Sequence, residues 1–476
     1  MATIAELMKA LPEYEAAVPQ YGASAPALVE ASFRPVPVGR WRRTGLLLTL
    51  QSKIAAGYFF HWVRGWFKDA DEKERLLAEL HWRTAARMLD SMGYLRGAIM
   101  KVGQTLANFP DIVPAAFVET LDQLHFEAPP MHWSLLREMV NTELGEDPQD
   151  AFASFDKRAF AAASLGQVHR ARLKSGQEVA VKIQYPGIGR TIGEDFRNLF
   201  LFMLPARLSA DWENTREQFD DLRGRLEHET DYEREAAMLQ KVKSLFRDDE
   251  GMVIPRVYPE LSTRRILTME RLEGMHIDQF LAANPPQAVR DEFAAKMLRA
   301  WCRMLYADRL FYADLHPGNF IFMEDGRLGI IDFGCVVELD DTLWDLLRKM
   351  DRPMTTGRRD DRIAAIKEWS QIGDSAADAD RLRLTDEYAD WTWRSRYRGG
   401  EFDFGDEADF RHGIDLFLEM ARKRYSRSQA STPIMARQHM GWRGMLYRLR
   451  ARLDVCSIVE AEVRAAGWDR SEYAPR

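Results

Sequence analysis

Ala313-Asp314-Leu315-His316-Pro317-Gly318-Asn319, followed by Asp332-Phe333-Gly334, is the stretch that decides how this chain folds. Asn319 lies five residues after Asp314, and Asp332 thirteen after Asn319. Between them, Phe320 to Phe322 and Leu328 to Ile331 are short apolar runs around Asp325-Gly326, the signature of a hairpin. A carboxylate, an amide and a second carboxylate returned by a hairpin supply what phosphoryl transfer requires. One group sits beside the attacking oxygen, and two oxygen ligands hold Mg²⁺ against the phosphates. Asp314 takes the first role; Asn319 and Asp332 take the second. The competing reading is a turn rich in Asp, Pro and Gly without chemistry, and the order of the motifs upstream argues against it.

Upstream, Val179-Ala180-Val181-Lys182 closes a strand candidate, Glu178 to Ile183, which faces Val168 to Leu173 across the turn Lys174-Ser175-Gly176. A lysine after V-A-V is how protein kinases set an ammonium against the α- and β-phosphates of ATP. Alone, such a run is common in strands. Gly166, sixteen residues before Lys182, ends the run Ala161-Ala162-Ala163-Ser164-Leu165-Gly166-Gln167-Val168. Against the kinase loop G-x-G-x-x-G-x-V it keeps Gly166 and Val168 but puts Ala161 and Ala163 where the first two glycines stand. The methyl groups remove the freedom to adopt φ > 0 and narrow the approach of a nucleotide, which the loop would cover through backbone N–H groups. Glu270, closing a further strand candidate from Arg265, is taken with this loop as nucleotide-binding. A kinase also needs a helix glutamate to pair with its lysine. Glu235, in Glu229-Thr230-Asp231-Tyr232-Glu233-Arg234-Glu235, is the candidate, 53 residues after Lys182, so an insertion, Ile188 to Ala210, is expected between them. An acid run on a helix is otherwise a solvated face.

The bulk composition sets limits. At 476 residues, 46% hydrophobic and 29% charged, the chain has the profile of a folded globular protein. Its net charge of −7 disfavours nucleic acid as a partner. Three distant cysteines, Cys302, Cys335 and Cys456, form no CxxC-type site and suit a reducing compartment. With no secretory signal and no apolar run long enough to span a bilayer, a cytoplasmic protein is expected. The stretch Arg34 to Phe67 carries six bases and no acid, interleaved with Trp41, Trp62, Trp66 and other apolar residues. It reads either as a helix lying on an anionic membrane or as an amphipathic helix packed on the protein. Helical texture from Glu72 to Phe109, a small sheet after Pro129-Pro130, and a mainly helical second half together imply an α+β architecture.

At this point the residues resemble the UbiB/AarF family of atypical kinases. The motifs that carry the resemblance are Lys101-Val102-Gly103-Gln104 (the family's KxGQ), the alanine-rich run Ala161 to His169, and V-A-V-K at Lys182. To these add Glu229 to Ala236 with Glu229 and Asp231 (the ExD element), Ala313 to Asn319, and Asp332-Phe333-Gly334. They occur in family order over about half of the chain, and Gly441-Trp442-Arg443 to Leu453 resembles the family's last characteristic helix. The resemblance implies a protein-kinase-like bilobal fold: a helical KxGQ extension over 1–128, a small sheet-containing lobe with a helical insertion over 129–272, and a helical lobe over 273–476. It implies binding of ATP (or ADP) with Mg²⁺ and a role in ubiquinone or related isoprenoid lipid biosynthesis at or near membranes. It further implies that Lys101 and Gln104 reach toward the nucleotide, that Lys101 meets Glu229 or Asp231, and that Glu235 pairs with Lys182. This chain departs from the family in having Ala107-Asn108-Phe109 in place of a Ser-Thr-Arg run, and Tyr312 in place of a frequent histidine.

No A-P-E follows Asp332-Phe333-Gly334, and Cys335 to Asp345 runs straight into helix-like sequence, so no activation segment is expected to dock a peptide. The expected function is therefore an atypical kinase or ATPase that transfers phosphoryl to water or to a small lipid-like molecule. The alternative is a catalytically weak, nucleotide-responsive protein that presents lipids or scaffolds other enzymes.

Overall fold

The structure is a computed structural model that describes residues 133–163, 165–186, 188, 216, 220, 223–224, 228–246, 251–313, 315–370, 372–373, 375–423, 425 and 432–468. The KxGQ extension with Lys101 and Gln104, the basic stretch 34–67, Ser164, Asp314 and nearly all of the expected insertion lie outside the described residues.

Helix α1 (Trp133–Leu144) buries Leu136, Met139 and Val140, the three- and four-residue spacing of a helix laid on a sheet. A single turn, α2 (Pro148–Ala151), is capped by Asp147 and opened by its proline. The strands β1 (Ser154–Phe155), β2 (Ala161–Ala163), β3 (Gly166–Arg172) and β4 (Glu178–Gln184) follow, and after them α3 (Tyr232–Ser244), β5 (Met252–Val253) and β6 (Ile266–Glu270). Five strands make one antiparallel sheet. β3 takes β1 and β2 on one edge and β4 on the other, and β6 continues beyond β4. The turn between β3 and β4 falls at Lys174-Ser175-Gly176, with Gly176 at φ 97°, a conformation that side chains with a Cβ avoid.

The two-residue period sorts this sheet into two faces. Val179, Val181 and Ile183 pack with Phe155, Tyr258 and Ile266 under α1. Ala180, Leu267 and Met269 face the main core, and Lys182, opposite Val168 and Leu267 in the register, shares their face. Onto that face packs α3, whose buried residues Tyr232, Glu235, Met238, Leu239 and Val242 line one side of the helix. Its N-cap is Asp231, which accepts from the backbone N–H groups of Glu233 and Arg234, so the acidic run is broken there and does not form one continuous helix.

The rest is mainly helical. After α4 (Ile277–Ala282), the long α5 (Gln287–Asp308) buries Phe293, Met297, Trp301 and Leu305 at helical spacing and forms the centre of this part. Then come β7 (Leu310–Tyr312), β8 (Phe320–Phe322), β9 (Leu328–Ile330) and β10 (Val336–Glu338). β8 and β9 are the hairpin expected around Asp325-Gly326, and β5 joins β9 in parallel, which sequence reading did not anticipate. β7 and β10 pair antiparallel, with Tyr312 opposite Val336. The chain finishes with α6 (Asp341–Thr355), α7 (Arg359–Ser370), α8 (Ala376–Tyr397), β11 (Phe402–Asp403), α9 (Glu407–Arg422), α10 (Thr432–Leu449), β12 (Arg452–Leu453) and α11 (Val455–Ala465). Arg303 of α5 grips Glu462 of α11 through two nitrogens at 3.1 Å each. A small sheet with one helix on its inner face, followed by a helical body, is the α+β, kinase-like architecture that the motif order implies.

Candidate active site

Three of the expected site residues meet where the sheet, α3 and the loop after β9 converge. Lys182 donates to both oxygens of Glu235, at 2.8 and 2.9 Å, and to Asp332 Oδ2 at 3.2 Å. The side chains of Lys182 and Glu235 are 8% and 4% exposed, whereas Asp332 keeps 34%, so the group is open on the Asp332 side. The ring of Tyr232 lies 4.9 Å from the ammonium and lends its face to the charge. Tyr232 sits one helical turn before Glu235, which is why both reach the same lysine.

The charges do not cancel: one lysine faces two carboxylates. Burial opposes the charge on Lys182, but Asp332 and Glu235 outweigh it and hold the ammonium well above the ordinary lysine range. Burial pushes the Glu235 carboxyl up to about 7; Lys182 draws it down and the charge of Asp332 pushes it further up. The surplus negative charge calls for a proton or a cation.

Asn319 ends a tight turn, Pro317–Asn319, and its backbone carbonyl accepts from Ile331 N–H at 3.0 Å, which ties the turn to the end of β9. Its side-chain nitrogen reaches Tyr312 Oη at 3.4 Å, which directs the amide oxygen away from Tyr312. Tyr312 Oη in turn donates to the Asp332 carbonyl at 3.0 Å, and Asp332 Oδ1 accepts from Gly334 N–H at 3.0 Å. His316 Nδ1 accepts from Gly318 N–H at 3.0 Å, which fixes the turn. Asp314 falls between Ala313 and Leu315 of this loop but outside the described residues.

Among the described residues no group of three or more His, Cys, Asp or Glu could hold a metal unaided. Magnesium does not need one, since it is ordinarily held by one or two protein oxygens together with substrate phosphates and water. A half-open carboxylate and an amide oxygen, next to a surplus negative charge, fit that pattern.

The structure settles which way the side chains of the covering loop and of Glu270 face. Ala161 and Ala163 are half-buried on β2, and Gly166 and Val168 lie on β3, with Val168 facing the Lys182 side; Ala162 is a strand residue between the first two. Gln167 points the other way. Its amide donates to His169 Nε2 at 2.8 Å, and His169 Nδ1 donates to the Asp156 carbonyl at 2.8 Å, all on the face packed under α1. Burial lowers the pKa of His169, which suits the neutral ring these bonds require. Gln167 therefore offers a nucleotide only its backbone. Glu270 is turned away for the same reason: it stands opposite Val179, and Oε2 accepts from Arg256 N–H at 3.1 Å. Of the acidic motif, Glu229 borders the site, accepting a long contact of 3.5 Å from Cys335 Sγ, while Asp231 caps α3 and pairs with Arg264 at 3.6 Å. Sequence reading missed Tyr232 and treated Tyr312 only as a departure. The first was open to a helical-spacing argument; the second needed the fold.

A separate cleft of about 240 Å³ lies among α7, α8 and α9, lined by Arg359, Arg362, Asp386, Asp390, Arg394 and others. Its acids are paired, Asp386 with Arg359 and Arg362 and Asp390 with Arg362, which ties α7 to α8, and Arg394 of α8 pairs with Asp409 of α9.

Residues 123–357 match the family described as ABC1 atypical kinase-like domain. The mitochondrial atypical kinase COQ8 of Saccharomyces cerevisiae is 32% identical over 292 residues, covering 60% of this chain and 57% of its own length. The mitochondrial atypical kinase COQ8B of Rattus norvegicus is 34% identical over 258 residues, covering 52% of this chain and 47% of its own. Among solved structures, the complex of Rv3197 with erythromycin from Mycobacterium tuberculosis superposes with a TM-score of 0.52 at 24% identity, covering 82% of this chain and 98% of that one. That likeness is one of fold. The sheet, the glutamate-bearing helix and the hairpin between Asn319 and Asp332 thus define a protein-kinase-like architecture. The chain belongs to the UbiB/AarF family of atypical kinases. It spans less than two-thirds of the length of the curated relatives it matches. No described helix is long and apolar enough to cross a membrane.

Proposed function

We propose that the protein binds Mg-ATP (or ADP) at the Lys182–Glu235–Asp332 group and transfers phosphoryl to water or to a small lipid-like molecule, in support of ubiquinone or related isoprenoid lipid biosynthesis. The observation that carries this reading is Lys182 held at once by Glu235 and Asp332, with Asn319 on the same loop system. Bound Mg²⁺ would neutralise charge on the phosphates, with Asp332 and Asn319 as its protein ligands. Lys182 would keep the phosphates in place, Glu235 would hold Lys182, and the backbone of Ala161 to Val168 would cover the nucleotide. Asp314, by its place in the sequence, would orient or deprotonate the acceptor.

A small acceptor is supported by the chain after Gly334. Only Cys335 to Asp340 separates it from α6, and Val336–Glu338 of that stretch is already paired with β7, which leaves no span on which a peptide could dock. The relatives named COQ8 support the quinone context. The basic stretch 34–67 would bring the protein to lipid-like substrates at an anionic membrane surface. Sedimentation with anionic vesicles at low salt, reversed at high salt, is the expected result; a protein left in the supernatant removes the membrane from the proposal.

A second reading, slow turnover with nucleotide acting mainly as a conformational ligand, draws on the hairpin from β2 to β3. Ala163 stands directly opposite Gly166, so the covering turn is short and tight. Asp332→Asn separates binding from no binding in either case. It should weaken Mg-nucleotide at least about tenfold, the loss of one charge-assisted contact. The measurement is the thermal shift given by Mg-ATP and Mg-ADP, alongside quinone profiling of a strain carrying the variant. A ligand-induced shift equal to wild type would take Asp332 out of the site.

A further inference from the structure

We infer that Tyr312 is a positioning residue that sets the two metal ligands of this site relative to one another through a single hydroxyl. The inference rests on the proposed Mg-nucleotide site and goes beyond it, to how the ligand pair is held. Tyr312 Oη donates to the backbone carbonyl of Asp332 at 3.0 Å and accepts the side-chain N–H of Asn319 at 3.4 Å. One oxygen can do both because a hydroxyl carries one donor and two acceptor sites. A single imidazole nitrogen either donates or accepts, so a histidine at this place could keep one of the two bonds but not both. The tyrosine is what makes the bridge three-membered.

The hydroxyl is held where it has to be. The Tyr312 ring is 1% exposed and packs against Phe320 and Phe333, at 6.4 and 5.7 Å between ring centres. These rings flank Asn319 and Asp332 in the chain, so ring and hydroxyl grip the same two loops. The backbone of Tyr312 is fixed on two sides. It pairs with Val336 of β10, and its carbonyl accepts a long contact of 3.5 Å from Gln438 of α10. One turn further along α10, Gly441 lies so close to Leu315 that an added Cβ would stand 3.1 Å from the leucine Cβ. α10 thus backs the loop that carries the metal ligands, and Tyr312 is the point through which that support reaches them. With the hydroxyl removed, Asn319 loses what directs its amide oxygen, and the Asp332 backbone loses its tie to β7.

The test is a Mg²⁺ titration of the full chain at fixed ATP, beside nucleotide binding in EDTA, for wild type, Tyr312→Phe, Tyr312→His and Asp332→Asn. Tyr312→Phe keeps the ring and should raise the Mg²⁺ concentration needed for half-maximal binding about fivefold, with affinity in EDTA unchanged. Tyr312→His should fall between the two. In the Asp332→Asn background, Tyr312→Phe should add less than it does in wild type, because only Asn319 is left for the hydroxyl to position. Wild-type Mg²⁺ dependence in Tyr312→Phe, with Asp332→Asn impaired, overturns the role of Tyr312 and leaves the site standing. Loss of EDTA-state affinity in step with Mg²⁺ dependence, in both Tyr312 variants, means that the residue is only structural. If Asp332→Asn itself behaves as wild type, it is the proposed site that fails.

Discussion

Glu235→Ala should destabilise the protein by about 3–5 kcal/mol and weaken nucleotide binding by more than tenfold, because it strands a buried lysine. Lys182 has an almost fully buried side chain whose charge is met by two bonds to this glutamate and one to Asp332. Without Glu235, Lys182 keeps Asp332 alone, the carboxylate that the proposed metal would need. Glu235→Gln tests the charge separately from the contact. In the folded protein the carboxyl of Glu235 sits near 7, against 4.5 when free of its surroundings. The folded state therefore holds the extra proton between those values. This group's contribution is most favourable below about 4.5 and is lost as pH rises through 7. Urea melts from pH 5 to 8 should show wild-type stability falling relative to Glu235→Gln, by an amount on the order of 3 kcal/mol. Parallel curves for the two proteins would show that Glu235 stays ionised throughout, with Lys182 meeting its charge in full.

Gly166→Val should damage the same site, through sterics alone. A Cβ at this position would stand 2.1 Å from the Ile183 carbonyl oxygen and 2.8 Å from its carbon. Both are backbone atoms of the neighbouring strand, so no side chain can rotate aside, and β3 must part from β4. The expected cost is at least about 1–3 kcal/mol, the range for overpacked interiors. The displacement would not stay local. Gly166 pairs with Gln184, whose buried amide donates to the Thr230 carbonyl at 2.7 Å, next to the cap of α3. Moving Gln184 moves the start of the helix that carries Glu235. Nucleotide affinity should therefore drop in any Gly166→Val that still folds, as titration calorimetry would show. Wild-type stability and affinity would mean that the strands separate freely at this end and that the covering loop is not held by its pairing.

The residues that sequence reading placed well are those whose chemistry fixes their spacing. Asn319 and Asp332 must be returned to one place by a hairpin, and the turn residues Asp325-Gly326 mark it. Lys182 must stand on a strand, and V-A-V announces one. Glu235 was not decided by its own residues, since an acid run is equally a solvated face, and the family resemblance selected it. For Gln167 and Glu270 the motif gave positions along a strand but not the side each faces, which follows from register. Only the pairing of Lys182 with Val168 and Leu267 shows that both lie on the other face. Asp231, read only as part of the ExD element, also caps α3, a role its place before Tyr232 could have suggested. The parallel strand β5 and the reach of Gln438 to Tyr312 join segments far apart in the chain, and no local pattern encodes them.

The ladder between β7 and β10 has a consequence for how such a site could be controlled. Many phosphoryl-transfer sites are switched by letting the segment after the metal-binding aspartate swing outward. Here Val336 enters the ladder two residues after Gly334, Leu339 N–H is held by the Arg309 carbonyl, and Phe333 is 1% exposed within the core. An outward swing would have to unzip a sheet and pull a phenylalanine from the interior in the same motion. On the proposed function, control is therefore expected from the supply of nucleotide, metal or acceptor, and inhibitors that occupy the space vacated by such a phenylalanine should find no room to bind.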